Sequence, residues 1–147
     1  GGVRSPFIIR WPGQVPANHV NDTSVFSGVD WLPTLCAIAG IDIDTRDLDG
    51  DNVLDIWQGA TRSREGTLFW KTNSDNSAPA MRDGNWKLHA FGRNAVELYD
   101  LERDPGERHN LAETRPEIVQ QLTKKLEAWT TTLPGNYIHG SGGGGED

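Results

Sequence analysis

The dipeptide Asp83-Gly84 constrains the fold most, because it lies between two short runs of strand-forming residues. Asp-Gly favours the two-residue turn that joins neighbouring antiparallel strands, since both residues accept a positive φ at low cost. In the run after the turn, side chains of alternating positions would point to opposite faces of a strand. One face would carry Trp86, Leu88 and Ala90, and the other Lys87, His89 and Phe91. The dipeptide therefore predicts a β-hairpin.

Two further strands are predicted beside this hairpin. Residues 66–71, Gly-Thr-Leu-Phe-Trp-Lys, precede it, and residues 95–101, Ala-Val-Glu-Leu-Tyr-Asp-Leu, follow it after a turn at residues 92–94. Four short strands in succession favour an antiparallel meander. We therefore expect one antiparallel sheet of four strands over residues 66–101.

A helix is predicted near residues 115–130, after the sheet. Thr114 and Glu117 have the spacing of a capping box, and Pro116 falls in the first turn, where proline is tolerated. An apolar stripe follows at helical intervals and should pack on the sheet. The stripe consists of Ile118, Leu122, Leu126 and Trp129. Residues 135–147 are rich in glycine and are predicted to be a flexible tail.

The chain opens with an apolar run that has the character of a buried strand. Phe7, Ile8 and Ile9 form this run, and Trp11-Pro12-Gly13 ends it. A buried strand needs neighbours on both sides, and these are expected upstream of the chain. Without them, the segment 7–11 should expose an apolar edge and face.

An amphipathic helix is predicted over residues 27–41. Ser27 and Asp30 have the spacing of a capping box, Gly40 suits the C-terminal stop, and Pro33 should kink or restart the helix. The apolar positions at helical intervals are Leu32, Leu35, Cys36 and Ala39.

Six aspartates between residues 42 and 55 invite comparison with a calcium-binding loop. With Gly50 as the loop glycine of an EF-hand, however, Thr45 would occupy the first ligand position and Ile56 the position of the closing glutamate. We therefore interpret this segment as a solvated acidic loop leading into a short helix that ends at Gly59.

Composition excludes several classes of function. The 147 residues carry a formal charge of −7, which gives no general attraction to nucleic acid or to anionic lipid. No apolar run approaches the roughly 18 residues of a membrane span. The single cysteine, Cys36, lies in an apolar run and is interpreted as a buried, inert thiol. The six tryptophans suit either a sugar-binding platform or the bulk of a small core.

The residues alone predict no catalytic centre. The sequence contains no phosphate-binding loop, no Gly-x-Ser-x-Gly nucleophile motif and no His or Cys cluster with metal-ligand spacing. We interpret the four histidines as structural or solvent-exposed; they are His19, His89, His109 and His139. No residue of this chain is therefore predicted to be catalytic or to bind a metal.

Five stretches, in order, resemble the formylglycine-dependent sulfatases of the arylsulfatase family, within the alkaline phosphatase superfamily. They are GGVRSPFIIRWPG at residues 1–13, SGVDWLPTLCAIAGI at 27–41, LDGDNVLDIWQG at 48–59, MRDGNWKL at 81–88 and ELYDLERDPGERHNLAETRPE at 97–117. Each stretch is weakly specific alone, but together they cover nearly the whole chain up to Trp129.

The resemblance implies an α/β, alkaline-phosphatase-like sulfatase of which this chain is the C-terminal portion. Residues 1–60 would be the end of its N-terminal α/β domain, with the last strand and helix. Residues 61–134 would be the C-terminal α+β subdomain, a four-stranded antiparallel sheet packed by the C-terminal helix. The formylglycine, formed from Cys or Ser, and the calcium ion of the full-length enzyme would both lie in the missing N-terminal sulfatase domain, with none within this chain.

The resemblance also implies a function for the whole protein, the hydrolysis of sulfate esters of carbohydrates or aryl compounds. This chain would close one wall of the substrate pocket, and Lys71 and Asn73, after the strand 66–71, are predicted to bind substrate. Bacterial relatives suggest a periplasmic or secreted enzyme. Two alternatives remain open: a non-catalytic, Trp-rich carbohydrate-binding domain, and a fragment of a related phosphatase or phosphodiesterase.

Overall fold

The structure is a computed structural model, and it describes residues 5–44, 48–71, 78–91 and 95–134. The chain divides into two compact units, one of residues 2–68 and the other beginning at Phe69. This boundary lies eight residues after the predicted domain boundary between residues 60 and 61. The assignment of residues 1–60 to a larger N-terminal domain stays a prediction, and the predicted tail, residues 135–147, lies outside the described residues.

The described elements are short, apart from the last helix. The helices are a 3-10 turn at Gly28–Asp30, α1 at Trp31–Ala39, α2 at Leu54–Trp57 and α3 at Pro116–Thr130. The strands are β1 at Leu68–Trp70, β2 at Ala80–Asp83, β3 at Trp86–Phe91 and β4 at Ala95–Asp100.

The four strands form one sheet in the order β1-β2-β3-β4, which confirms the predicted meander. The pairing of β2 with β3 and of β3 with β4 is antiparallel. Asp83 is paired with Trp86 across the hairpin, and Gly84 in the turn has φ of 57°, which glycine adopts without steric cost. The hairpin therefore lies where the Asp-Gly signal predicts it, but its two-residue turn is Gly84-Asn85, one residue later than the predicted Asp83-Gly84.

The helix α3 packs against the sheet as predicted. One row of adjacent partners, Met81, Leu88 and Leu98, crosses three strands, and each of these side chains is fully buried. Leu122 and Leu126 of α3 complete the buried cluster. Around it pack half-buried apolar residues that include Phe69, Trp86, Ile118 and Trp129. Burial of these side chains is the main source of stability of this unit.

The start of α3 differs from the prediction. The residue that caps the helix is Arg115, and no side chain caps the first turn. The hydroxyl of Thr114 instead donates to the carbonyl oxygen of Leu111 at 3.1 Å, so the predicted capping box of Thr114 and Glu117 is wrong. Pro116 occupies the first helical position, where its missing N–H costs nothing.

In the first unit, the predicted helix starts as a 3-10 turn and restarts as α1 at Trp31. The backbone N–H of Ser27 donates to the Asp30 carboxylate at 2.7 Å, as a capping box requires. Restarting at Trp31 places Pro33 within the first turn of α1, where proline is tolerated. Gly40, with φ of 67°, ends the helix as expected.

The apolar stripe predicted on this helix is not buried in the chain. Leu32 is 56 % exposed and Leu35 is 48 % exposed, whereas the buried side chains of α1 are those of Pro33 and Thr34. Cys36 is half-buried rather than buried. The periodicity predicted the helix correctly, but it did not show whether another part of the structure packs against the stripe.

The predicted opening strand is also absent, because residues 5–11 form no strand in the structure. A strand requires a hydrogen-bonded neighbour, and residues 5–44 and 48–67 contain none. Phe7 and Ile9 pack against the buried cluster of Val53, Ile56 and Trp57, whereas Ile8 is 90 % exposed. The turn expected after this segment is present, since the N–H of Val15 donates to the carbonyl oxygen of Trp11 at 2.9 Å.

Candidate functional site

The two predicted substrate-binding residues follow β1. Lys71 is half-buried and comes directly after the last residue of the strand, Trp70. Among the residues that the structure describes, its side chain makes no hydrogen bond or ion pair. Asn73 lies outside the described residues. The end of β1 therefore sets the position of the Lys71 backbone. That Lys71 and Asn73 form one substrate-binding site stays a prediction.

The face of the sheet opposite α3 carries a cluster of ionisable side chains. On this face, Lys87 of β3 is adjacent to Tyr99 of β4, and His89 is adjacent to Glu97. The ammonium of Lys87 is 4 % exposed and donates to the carboxylate of Glu107, in the loop after β4, at 2.7 Å. A lysine is rarely buried this deeply unless it is paired, so Glu107 balances its charge.

Burial and the Lys87 charge determine the titration of this cluster. Burial lowers the pKa of His89, and the positive charge of Lys87 lowers it further. Burial raises the pKa of Tyr99, and a hydrogen bond with Glu97 acts in the same direction. Burial alone would raise the pKa of Glu107, but the hydrogen bond from Lys87 holds that pKa below its ordinary value. At neutral pH this face of the sheet therefore carries the neutral imidazole of His89 beside the ion pair of Lys87 and Glu107.

The first unit contains a second buried ion pair, between Asp30 and Arg64. One guanidinium nitrogen of Arg64 lies 2.9 Å and 2.7 Å from the two carboxylate oxygens of Asp30, and both side chains are nearly inaccessible to solvent. The backbone N–H groups of Ser27 and Asp51 donate to the same carboxylate at 2.7 Å and 2.8 Å. Asp30 therefore joins the start of the helix to two later segments of this unit.

Gly50 is required where these segments meet. A Cβ atom at this position would lie 2.0 Å from the carbonyl oxygen of Val29, a distance that no side chain can accept. The hydroxyl of Thr34, which is fully buried, accepts a hydrogen bond from the N–H of Val53 at 3.0 Å. The role of this network is structural, because the Asp30 carboxylate and the Thr34 hydroxyl both accept hydrogen bonds from groups of the same unit.

An aromatic cluster lies beside the opening segment of the chain. The ring of Phe7 contacts the rings of Phe26, Trp31 and Trp57, with centroid distances of 4.8, 5.5 and 5.6 Å. A pocket of about 830 Å³ is lined by part of this cluster and by residues from Ile8 to Asn21. Its walls are mainly apolar, and it adjoins the segment for which the sequence predicts a strand with missing neighbours.

The described part of the chain offers little for metal or covalent chemistry. Within residues 5–44, 48–71, 78–91 and 95–134, no three His, Cys, Asp or Glu side chains come together as metal ligands. In the same ranges, no helix has the length and apolar character needed to cross a bilayer. The charges of Asp30, Arg64, Lys87 and Glu107 are engaged in ion pairs, so they support the fold rather than a reaction.

The sequence did not reveal the buried charges. Asp30, Arg64 and Lys87 lie among polar or mixed residues, and charged residues in such positions are usually solvated. The resemblance to sulfatases could have indicated two of them, because Asp30 and Lys87 fall within the stretches that carry it. A charged residue recurring inside a structural motif is a reasonable candidate for a buried pair.

The chain matches a protein-family model over nearly its whole length. The model describes the C-terminal region of N-sulphoglucosamine sulphohydrolase, and residues 1–132 match it. Arylsulfatase A of Bos taurus is 30 % identical, over 86 % of this chain and 30 % of that protein. N-acetylgalactosamine-6-O-sulfatase of Bacteroides thetaiotaomicron is 29 % identical, over 88 % of this chain and 28 % of that enzyme.

A solved structure gives the same result. A sulfatase described with the metabolism of multiple glycosaminoglycans by Bacteroides thetaiotaomicron superposes with a TM-score of 0.69 at 29 % identity, over 86 % of this chain and 29 % of that protein. The fold is therefore that of the C-terminal α+β part of an alkaline-phosphatase-like sulfatase. The chain spans less than a third of the length of each of these three proteins. By its match over residues 1–132, the chain belongs to the N-sulphoglucosamine sulphohydrolase C-terminal family.

Proposed function

We propose that the whole protein hydrolyses sulfate esters of carbohydrates. The family match over residues 1–132 carries the sulfatase part of this proposal. The carbohydrate part is supported by two relatives, one an N-acetylgalactosamine-6-O-sulfatase and the other a structure described with glycosaminoglycan metabolism. Aryl sulfates are a second substrate class, which the relation to arylsulfatase A supports.

The catalytic groups of this reaction lie outside the chain in our proposal. Sulfatases of the type that the sequence resembles use formylglycine and calcium. The residues described here do not fit either group, because no three metal-ligating side chains come together among them and Cys36 lacks the Cys-x-Pro-x-Arg context. We assign both groups to the N-terminal sulfatase domain and none to this chain.

This chain would contribute a wall of the substrate pocket. β1 is hydrogen-bonded in the sheet, so the backbone of Lys71, directly after it, has a defined position. An ammonium group there would attract an anionic sugar, and the amide of Asn73, two residues later, would hydrogen-bond sugar hydroxyls. The enzyme would act outside the cytoplasm, in the periplasm or as a secreted protein, where sulfated polysaccharides are met.

The apolar surface of the first unit supports the need for the N-terminal domain. Five large apolar side chains at or beside α1 are more than 40 % exposed, and so many exposed apolar side chains close together in sequence are unusual for an isolated protein surface. They are Val29, Trp31, Leu32, Leu35 and Ile41. In our proposal the N-terminal sulfatase domain covers these five side chains.

The test is an assay of the intact polypeptide and of residues 1–147 alone. The intact protein should hydrolyse p-nitrophenyl sulfate and release sulfate from N-acetylgalactosamine 6-sulfate, with p-nitrophenyl phosphate as the matched control. Residues 1–147 alone should show no hydrolysis above a heat-treated sample. Faster cleavage of the phosphate ester would favour the phosphatase alternative, and absence of any hydrolysis by the intact protein would favour the binding domain. Turnover by residues 1–147 alone would overturn the assignment of catalysis to the N-terminal domain.

A further inference from the structure

A second pocket, of about 520 Å³, lies in the second unit at the start of α3. Trp86 of β3, Arg103 and His109 of the loop after β4, and Arg115 at the cap of α3 contribute to its lining. Its size is in the range of small-ligand sites. The Lys71 site proposed above lies at the other edge strand of the sheet, β1, whereas this pocket follows β4.

Asp100 and Asp104 also line the pocket, and their carboxylates hold its loop in place. The carboxylate of Asp104 accepts hydrogen bonds from the backbone N–H groups of Arg108 and His109 at 2.7 Å and 2.8 Å. The carboxylate of Asp100 accepts from the N–H of Glu102 at 3.1 Å. Although burial opposes it, the hydrogen bonds from His109 and Arg108 lower the pKa of Asp104. Both aspartates therefore act as acceptors toward the loop rather than toward a ligand.

The groups that remain for a ligand are two guanidinium groups, one imidazole and one aromatic ring. The side chain of Arg103 is 83 % exposed, and its Nε lies 3.8 Å from the carboxylate of Asp100, beyond hydrogen-bond distance. In the part of the chain that the structure describes, the guanidinium of Arg115 makes no hydrogen bond. His109 is 78 % exposed, and one ring nitrogen lies 3.4 Å from Asp104, which fixes the ring beside the pocket. Trp86 is half-buried against the core and supplies the aromatic wall.

This combination selects a sulfated sugar. The planar guanidinium of an arginine can donate two parallel hydrogen bonds to a pair of oxygens of a tetrahedral sulfate group, and an aromatic ring stacks on the apolar face of a pyranose. We infer that the pocket formed by Trp86, Arg103, His109 and Arg115 is an accessory binding site for a sulfated sugar unit, separate from the site of hydrolysis. The inference rests on the proposed function for its substrate class, but it concerns binding by residues of this chain alone.

The experiment measures binding of a size-defined heparin tetrasaccharide to residues 1–147 by calorimetry at about 50 mM salt. The desulfated tetrasaccharide and inorganic sulfate are the matched ligands. The variants are Arg103→Ala and Arg115→Ala, and Arg108→Ala is the control, since Arg108 is an exposed arginine of the same loop that does not line the pocket. Thermal unfolding of each variant checks that these exposed substitutions leave the fold intact.

We expect each pocket variant to weaken tetrasaccharide binding about tenfold and Arg108→Ala to leave it within about twofold, because one charge-assisted hydrogen bond corresponds to about this factor. The desulfated ligand and inorganic sulfate should bind at least about tenfold more weakly than the sulfated sugar. An equal loss in all three variants would identify general charge attraction and overturn the site. Equal affinity for the desulfated ligand, or no binding by the unmodified chain, would do the same. None of these results depends on hydrolysis, so they are separable from a failure of the proposed activity.

Discussion

Lys87 on β3 and Glu107 in the loop after β4 form an ion pair, with Nζ and Oε2 2.7 Å apart. Glu107 makes this contact from a left-handed backbone conformation, with φ of 55°, which costs a residue with a side chain on the order of 1 kcal/mol. Lys87 and Glu107 belong to two separate stretches of the sequence that resemble sulfatases. The pair therefore joins these two stretches in the folded structure.

Removing the acid of this pair should strongly destabilise the second unit. Glu107→Ala leaves the Lys87 ammonium buried without its carboxylate, and we expect a loss of about 3 kcal/mol in the free energy of unfolding. Urea unfolding followed by tryptophan fluorescence measures it. Glu113→Ala, at an exposed loop position, is the control and should change stability by less than about 0.5 kcal/mol.

The double variant Lys87→Met with Glu107→Ala separates charge from packing. If the cost of Glu107→Ala comes from the unpaired ammonium, removing that ammonium should recover part of the loss. A double variant no more stable than Glu107→Ala alone would show that the carboxylate acts mainly through its packing or its other contacts.

Stability should fall as the pH is lowered, in two steps. His89 causes the first, and the second belongs to carboxyl groups with lowered pKa values, among them Glu107, Asp104 and Asp55. The pKa of His89 is lowered from 6.5 in the folded protein, so the unfolded chain binds a proton first as the pH falls below about 6.5, and stability declines. The pKa of Glu107 is lowered from 4.5, so its contribution persists to lower pH and is lost as the pH falls through that lowered value.

The variant His89→Asn tests the first step. It should remove most of the decline in the urea midpoint between pH 7 and pH 5.5, whatever its effect on stability at pH 8. His109→Asn is the control, since His109 is exposed and lies on the loop rather than on the sheet. An unchanged slope in His89→Asn would mean that another group causes the decline.

A third prediction concerns Gly50. Because a Cβ atom there would lie 2.0 Å from the Val29 carbonyl oxygen, Gly50→Ala must displace the segment that binds Asp30. We expect a loss of about 3 kcal/mol in the first unit, at the upper end of overpacking costs. Gly28→Ala is the matched control, because a Cβ atom at Gly28 meets nothing within 4 Å. Similar stability of both variants would contradict this close approach.

The second unit was predictable because its signals are local. The Asp83-Gly84 dipeptide predicted the hairpin to within one residue of its turn, Gly84-Asn85, and the stripe that includes Leu122 needs only α3 itself to be recognised. The first unit was predicted less well. The stripe at Leu32 and Leu35 indicated a helix correctly, but the pattern did not show that these side chains are exposed in the structure. Sequence patterns identify which faces are apolar, and only tertiary structure shows what covers them.

The α3 stripe allows a direct measure of how much the sheet and helix stabilise each other. Leu122 is 2 % exposed and packs within the cluster of Met81, Leu88 and Leu98. Leu122→Ala should lower the free energy of unfolding by about 2 to 4 kcal/mol, through lost burial and a residual cavity. The neighbouring exposed residue provides the control, since Gln121→Ala should have little effect. A loss below about 0.5 kcal/mol for Leu122→Ala would show that the stripe is not part of the core.

The last prediction concerns substrate contact at the end of β1, in the intact enzyme. Lys71→Ala and Asn73→Ala should each raise KM for a sulfated sugar severalfold while leaving KM for a small aryl sulfate unchanged, because only the sugar extends to the pocket wall. Lys124→Ala, at an exposed position of α3, is the control for the loss of one positive charge. Steady-state kinetics with p-nitrophenyl sulfate and N-acetylgalactosamine 6-sulfate provide the measurement. If both substrates respond equally, or neither responds, Lys71 and Asn73 do not contact the sugar, and substrate selection lies elsewhere in the enzyme.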